Sequence, residues 1–253
     1  MLGKILITLA VLYLVAGVGF RFVEHRFLFH PTAEPLANCA LPQGVEYFRF
    51  GDEQALLTRT GSNKLMVFYH GNGSDACNWR FIGPNHLAPF GYDTLVVEFP
   101  GYAGDGRVIS KASLLATAEA THLWAQEHYD EVSVLGYSMG SAAASHPAGQ
   151  GGVTRLMLFA AFDSMYALLR GKGYWYPRFL LRNDFDNRAA LAGGPPETIV
   201  VHGAVDTLIP PARGRKLAEA LGARFILREG FGHDGLFDSP AFDEFLADVL
   251  GSR

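Results

Sequence analysis

Apolar residues along this 253-residue chain fall into one long run followed by many short ones. Ile5 to Phe20 (ILITLAVLYLVAGVGF) carries no charge, and with Leu2 and Gly3 around Lys4 it approaches the roughly 20 apolar residues that a helix needs to cross a bilayer. A buried helix is one competing reading and a cleaved signal peptide the other. Its apolar region spans roughly 7 to 15 residues and ends at a small-x-small site, of which Val15-Ala16-Gly17-Val18-Gly19 is a poor version. The pattern therefore predicts a retained, single-pass transmembrane helix over residues 1–22. Arg21-Phe22-Val23-Glu24-His25-Arg26-Phe27-Leu28-Phe29 then turns amphipathic until Pro31 and Pro35 stop any helix, so residues 23–44 read as a juxtamembrane linker. Lys4 before the span and Arg21, Glu24 and Arg26 after it leave the positive-inside rule nearly silent. The expectation adopted is a membrane-held chain whose C-terminal domain faces the exported side.

After the linker, short apolar runs alternate with helix-length segments over residues 45–253. Val45 to Phe50 and Ala55 to Thr60, separated by Gly51-Asp52-Glu53, look like an antiparallel hairpin. Leu65 to Tyr69, Thr94 to Val97, Val132 to Leu135, Leu156 to Phe159, Thr198 to Val201 and Phe225 to Leu227 are near-continuous apolar runs, as strands buried on both faces require. Helices are predicted at Asn78 to Pro89, Lys111 to His128, Met139 to Ser145, Pro211 to Leu221 and Pro240 to Leu250. Strand-then-helix order repeated in this way predicts an α/β fold with a mostly parallel central sheet, helices on both faces, and functional residues at the carboxyl ends of the strands. No internal repeat or low-complexity tract interrupts it.

Composition narrows the classes of function. A net charge of -4 offers no basic stripe for phosphate backbones, so no nucleic-acid partner is expected. Cys39 and Cys77 are the only cysteines, too few for a disulfide scaffold or a Cys-rich zinc site, and their spacing leaves open whether they pair. No HExxH or other metal-ligand spacing occurs, and neither metal nor cofactor is expected.

The chemistry stands at the strand ends. Gly136-Tyr137-Ser138-Met139-Gly140 is a G-x-S-x-G pattern, easily met by chance in a glycine-rich chain, but here it lies where a buried strand meets a helix. Flanking glycines permit the strained turn that would expose the Ser138 hydroxyl above the sheet. Nine histidines compete to serve as its base. His233, in the glycine-rich loop Gly230-Phe231-Gly232-His233-Asp234 after the last strand, is the candidate. His25 and His30 belong to the linker, His122, His128 and His146 to helices, His70 and His202 to turns, and His86 has no context. Asp206, following the Thr198 strand, is the favoured partner to orient the imidazole; Asp163 is the rival, and Asp234 is too near His233 in sequence. Donors for a tetrahedral oxyanion are expected from the amides of Met139 and of Asn72, the latter within His70-Gly71-Asn72-Gly73.

With these motifs in place, the chain resembles the Bem46-like group of membrane-anchored α/β-hydrolases, relatives of eukaryotic serine hydrolases of the same fold. The resemblance covers almost the whole chain. It rests on the anchor, Arg26-Phe27-Leu28-Phe29-His30-Pro31, HGNG at 70–73, EFPGY at 98–102, GYSMG at 136–140, HGAVDTLIP at 202–210 and GFGHD at 230–234. It implies Ser138, Asp206 and His233 as catalytic triad and Asn72 and Met139 as oxyanion hole. Ala103-Gly104-Asp105 departs from the family's usual Gly-x-Ser, and Pro147 with Gly149, Gly151 and Gly152 is expected to cut the helix after the serine short. Residues 162–196 form a small cap insertion whose aromatic side chains would line an acyl pocket or pack onto the sheet. The function expected is hydrolysis of carboxylic ester or thioester bonds in hydrophobic acyl substrates, depalmitoylation being what some relatives imply. A non-catalytic hydrolase-fold binding protein and a serine peptidase on the same fold are the alternatives; oligomeric state is not legible.

Overall fold

Eight strands form one sheet in a computed structural model that describes residues 1–238 and 240–251; the expected C-terminal boundary at Arg253 lies outside the described residues. The strands are β1 (Val45–Phe50), β2 (Glu53–Thr58), β3 (Lys64–Tyr69), β4 (Asp93–Val97), β5 (Glu131–Tyr137), β6 (Arg155–Phe159), β7 (Glu197–Gly203) and β8 (Arg224–Arg228). Their spatial order is β1-β2-β4-β3-β5-β6-β7-β8. The hairpin β1–β2 and the β2–β4 pair are antiparallel and all other pairs are parallel, so the sheet is mostly parallel as its apolar runs predict.

The helices are α1 (Leu2–Val23), α2 (His25–Leu28), α3 (Lys111–His128), α4 (Gly140–Ala148), α5 (Met165–Gly171), α6 (Asn187–Ala190), α7 (Pro211–Leu221) and α8 (Ala241–Leu250). Because side chains alternate across a strand, each buried strand feeds two cores. Leu65, Val67 and Tyr69 of β3 join Leu114 and Ala118 of α3, Ala143 of α4 and Leu217 of α7 on one face. Met66 and Phe68 join Ile82, Leu87 and Phe242, Phe245 and Leu246 of α8 on the other.

Two expected helices differ. Asn78 to Pro89 is a string of short turns, Ala76–Trp79, Gly83–Leu87 and Ala88–Phe90, in place of one helix. Pro84 and Pro89 deprive the segment of amide donors, and Gly91 closes it in the left-handed region at φ 75°. After the serine, the expected Met139 to Ser145 is observed as Gly140–Ala148, so Pro147 sits inside the last turn and the helix ends one residue beyond it, capped by Gly149.

α1 is apolar on all sides and long enough to cross a membrane, a test that signal sequences also pass. The segment after it is no free tether. Phe29 and Leu36 are buried in the two cores, and Thr32 receives the amides of Ala103 and Gly104 on its hydroxyl and carbonyl. Cys39 and Cys77 form a disulfide, with Cα atoms 5.7 Å apart, which fastens the linker to the turn at Ala76–Trp79.

Candidate active site

Ser138 sits between β5 and α4 at φ 55°, a left-handed conformation that a serine adopts only under constraint. Its amide donates to the Phe159 carbonyl (2.9 Å). Close packing enforces the turn: a Cβ on Gly136 would fall 2.6 Å from that of Ala144, and one on Gly140 would fall on the Tyr69 carbonyl. The glycines of the motif are therefore steric requirements, and the side chain that remains is lifted into a cavity.

Three side chains converge there from three strand ends. His233 Nε2 lies 3.0 Å from Ser138 Oγ, and His233 Nδ1 lies 2.7 Å from Asp206 Oδ2. The carboxylate opposite Nδ1 can only accept, so the proton resides on Nδ1 and the lone pair of Nε2 faces the serine hydroxyl. Asp206 is itself held: its Oδ1 accepts the amides of Leu208 (2.9 Å) and Ile209 (2.8 Å). His202 Nε2 stands 3.3 Å from Oδ2 and 2.8 Å from the Ile209 carbonyl, both acceptors, so Nε2 is the protonated nitrogen. Burial pushes the Asp206 carboxyl up, but hydrogen bonds from His202, His233 and the Ile209 amide, with the charge on His233, hold it well below the usual carboxylate range.

The other candidates are occupied elsewhere. Asp163 pairs with Arg213 at 3.3 Å. Asp234 accepts the Tyr137 hydroxyl at 2.9 Å, and the same hydroxyl lies 3.2 Å from the His233 carbonyl, so the tyrosine beside the nucleophile braces the loop that carries the base. His70 and Glu98 are buried as a pair at 3.1 Å; Glu98 also accepts the amides of Phe99 and Ala76, which pins the start of the 70–73 loop. Gly71 runs so close beneath the serine that a Cβ there would lie 3.4 Å from Ser138 Cβ.

Asn72 and Met139 line the same cavity as Ser138 and His233, which encloses about 480 Å³, ordinary for a small-molecule site. Among the described residues neither amide donates to a protein acceptor. The Asn72 side chain is fully engaged: Nδ2 donates to the Leu28 carbonyl (2.8 Å), while Oδ1 accepts the His30 amide (2.9 Å) and the Tyr102 hydroxyl (2.5 Å). Phe27, Leu28 and His30 accordingly form one wall of the cavity, a part for the linker that its sequence alone did not disclose. The only signal was that Arg26 to Pro31 belongs to the motifs of the resemblance.

The cap aromatics follow neither expected path as a group. Met165 and Leu168 line the cavity and Phe185 enters the core, whereas Tyr174 and Tyr176 pack on α1 and Trp175 and Phe179 are exposed.

No protein-family model matches the chain, and no curated protein matches it in sequence. Solved structures do. A thermophilic esterase of Thermogutta terrifontis shares 17% identity over 84% of this chain and 95% of its own, with a TM-score of 0.62. A Pyrococcus furiosus esterase shares 14% over 88% and 95%, with a TM-score of 0.66. The fold is that of an α/β-hydrolase. A hydrolase of Thermoplasma acidophilum described as CIB-like gives the same answer at 17% identity and a TM-score of 0.60, over 82% of this chain and 97% of its own. The Thermogutta esterase is also known phosphoramylated by tabun. At such identities these likenesses speak for the α/β-hydrolase fold, and the chemistry rests on the site itself.

Proposed function

We propose that this α/β-hydrolase is a membrane-anchored serine hydrolase that cleaves hydrophobic acyl esters or thioesters through an acyl-enzyme. The observation that carries this reading is the continuous Asp206–His233–Ser138 chain of hydrogen bonds ending at a strained serine. His233 Nε2 takes the hydroxyl proton as Oγ attacks the acyl carbon, and Asp206 stabilises the imidazolium. The amides of Asn72 and Met139 receive the developing oxyanion. His233 then protonates the leaving alcohol or thiol, and water, activated by the same imidazole, releases the acid and restores Ser138. The reaction of the Thermogutta esterase with tabun supports an electrophile-accepting nucleophile on this fold.

The substrate class follows from the cavity walls, where Phe27, Leu28, Phe162, Met165, Leu168 and Ile209 supply apolar surface around the serine. On a series of p-nitrophenyl esters and acyl thioesters, kcat/KM is expected to rise with acyl length until the cavity is filled. Hydrolysis confined to peptide substrates would contradict the reading.

The anchor reading is supported by the fit of α1 to the cap: Gly17 is buried against Tyr176 and Leu180, and Arg21 donates to the Phe179 carbonyl. A leader removed after export has no use for such complementarity. The Cys39–Cys77 bond favours an exported catalytic domain, because reducing cytosol does not preserve such bonds. Chain isolated from its native membrane under acid quench should therefore resist maleimide alkylation until reduced. Two labelled cysteines without reductant would place the domain in the cytoplasm.

A further inference from the structure

The face of α1 that carries Tyr13, Gly17, Phe20 and Arg21, continued by Glu24 at its C-terminal cap, is not free, and what covers it constrains how the protein meets a membrane. Tyr13, Gly17, Phe20 and Glu24 recur every three or four positions, and Arg21 follows Gly17 by four, so all lie toward one side of the helix. The cap runs along that side. Glu24 Oε1 accepts the Asn183 amide (2.7 Å) and its side-chain Nδ2 (2.9 Å); Arg21 donates to the Phe179 carbonyl (2.9 Å). Farther along, a Cβ on Gly17 would lie 2.6 Å from the Tyr176 ring, Tyr13 stacks on that ring at 4.8 Å, and the Tyr13 hydroxyl donates to the Trp175 carbonyl (2.8 Å).

Helix geometry turns these contacts into a depth. From Glu24 to Tyr13 the cap follows α1 for about 16 Å, at about 1.5 Å per residue. Beyond Tyr13 only about 17 Å of helix remain, roughly half of the ~30 Å hydrocarbon layer. α1 therefore cannot cross a bilayer on its uncovered part alone. Its other sides stay bare beside the cap, with Val15 63% and Phe22 66% exposed, so apolar surface in need of lipid continues past the point where the cap begins. The outer side of the cap matches it: Trp175 is 71% and Phe179 72% exposed. The carbonyls of these two residues are the ones that accept from Tyr13 and Arg21, as irregular backbone within a membrane requires. Arg170 lies over the Trp175 ring at 5.2 Å and Lys172 is exposed nearby, cations of the kind that reach lipid headgroups from an aromatic belt.

We infer that the Trp175 and Phe179 side chains of the cap are seated in the lipid bilayer beside α1, with Arg178 between them turned to its ion pairs with Asp184 and Asp186, so that the cavity of Ser138 opens at the membrane surface. The occupant of this apolar face is lipid. Phe27, which stacks on Phe20 of α1, lines the cavity, as do Leu168 and Lys172 a few residues before Trp175. An acyl chain can then pass from leaflet to serine without crossing water, which specifies the substrate as an ester or thioester resident in the leaflet. The inference rests on α1 being a retained anchor.

The test uses the full chain in phosphatidylcholine vesicles with and without brominated acyl chains, together with flotation. The chain has three tryptophans, Trp79, Trp124 and Trp175. Bromination is expected to quench part of the emission, and Trp175→Phe to abolish that part. In a second measurement Trp175→Ser with Phe179→Ser should lower hydrolysis of a long-chain ester dissolved in the vesicles about tenfold while leaving a short water-soluble ester unaffected; such a factor corresponds to about 1.4 kcal/mol. Flotation with quenching that survives Trp175→Phe, or equal losses on both substrates, would overturn this inference alone. Failure to float would overturn the anchor reading as well, and neither result would touch Ser138-dependent hydrolysis of the soluble ester.

Discussion

Ser138→Ala is expected to lower kcat on a p-nitrophenyl ester by a factor on the order of 10⁵ while leaving the fold intact. The size follows from the serine's part in a cooperative unit: without the nucleophile, His233 has no proton to take, and only binding and the oxyanion amides remain to aid direct attack by water. The fold should persist because the hydroxyl's bond to His233 is the one interaction lost; the amide bond to Phe159 and the packing of Gly136 and Gly140 involve backbone. Alanine at φ 55° is strained about as serine is. An unchanged circular dichroism spectrum and melting temperature beside the loss of turnover would separate chemistry from folding. Turnover within tenfold of the wild type would remove Ser138 from the reaction.

Asp206→Asn is expected to cost about 10⁴-fold in kcat for a different reason. An amide in place of the carboxylate can present an N–H to His233 Nδ1, which favours the tautomer with the proton on Nε2; the imidazole then points a donor, not a lone pair, at Ser138. The same substitution has a signature in stability. The Asp206 carboxyl is held below its ordinary range by its donors and by His233, so the folded state binds its proton less readily than the unfolded chain does. Its stabilising contribution is fully present above the ordinary carboxylate pKa of about 4, and is lost as pH falls toward the lower folded value. The melting temperature of the wild type should therefore exceed that of Asp206→Asn by a constant margin above about pH 5, and the gap should narrow as pH falls below about 4. A gap that widens with acid would mean that His202 and the Leu208 and Ile209 amides do not stabilise the charged form.

The parts of this architecture that were legible in the sequence are those fixed by local pattern. Each buried strand announced itself as an apolar run because both of its faces are covered, and the order Ser138, Asp206, His233 could be read because each residue follows a strand. At residues 78–89 the apolar spacing of a helix is overruled by Pro84 and Pro89, which break the segment into short turns. What could not be read was set by contacts between distant segments. Tyr13 and Trp175 are 162 positions apart, so nothing near either residue states that the cap aromatics rest on the N-terminal helix. Asn72 could be marked as a candidate oxyanion donor from its glycine neighbours, but its side-chain bonds to Leu28 and His30 depend on how the linker returns over the sheet. The bond between Tyr137 and Asp234 was not legible for a related reason: it forms only when the β5 and β8 ends are brought side by side.

The central claim is that Ser138 is a nucleophile activated by His233 and Asp206, and covalent capture tests it most directly. The full-length protein treated with a fluorophosphonate probe should gain one adduct, which mass spectrometry of the digested protein should locate on Ser138, with labelling lost in Ser138→Ala and greatly slowed in a His233→Ala variant. An adduct on another residue, or labelling that persists at the wild-type rate without Ser138, would contradict the account.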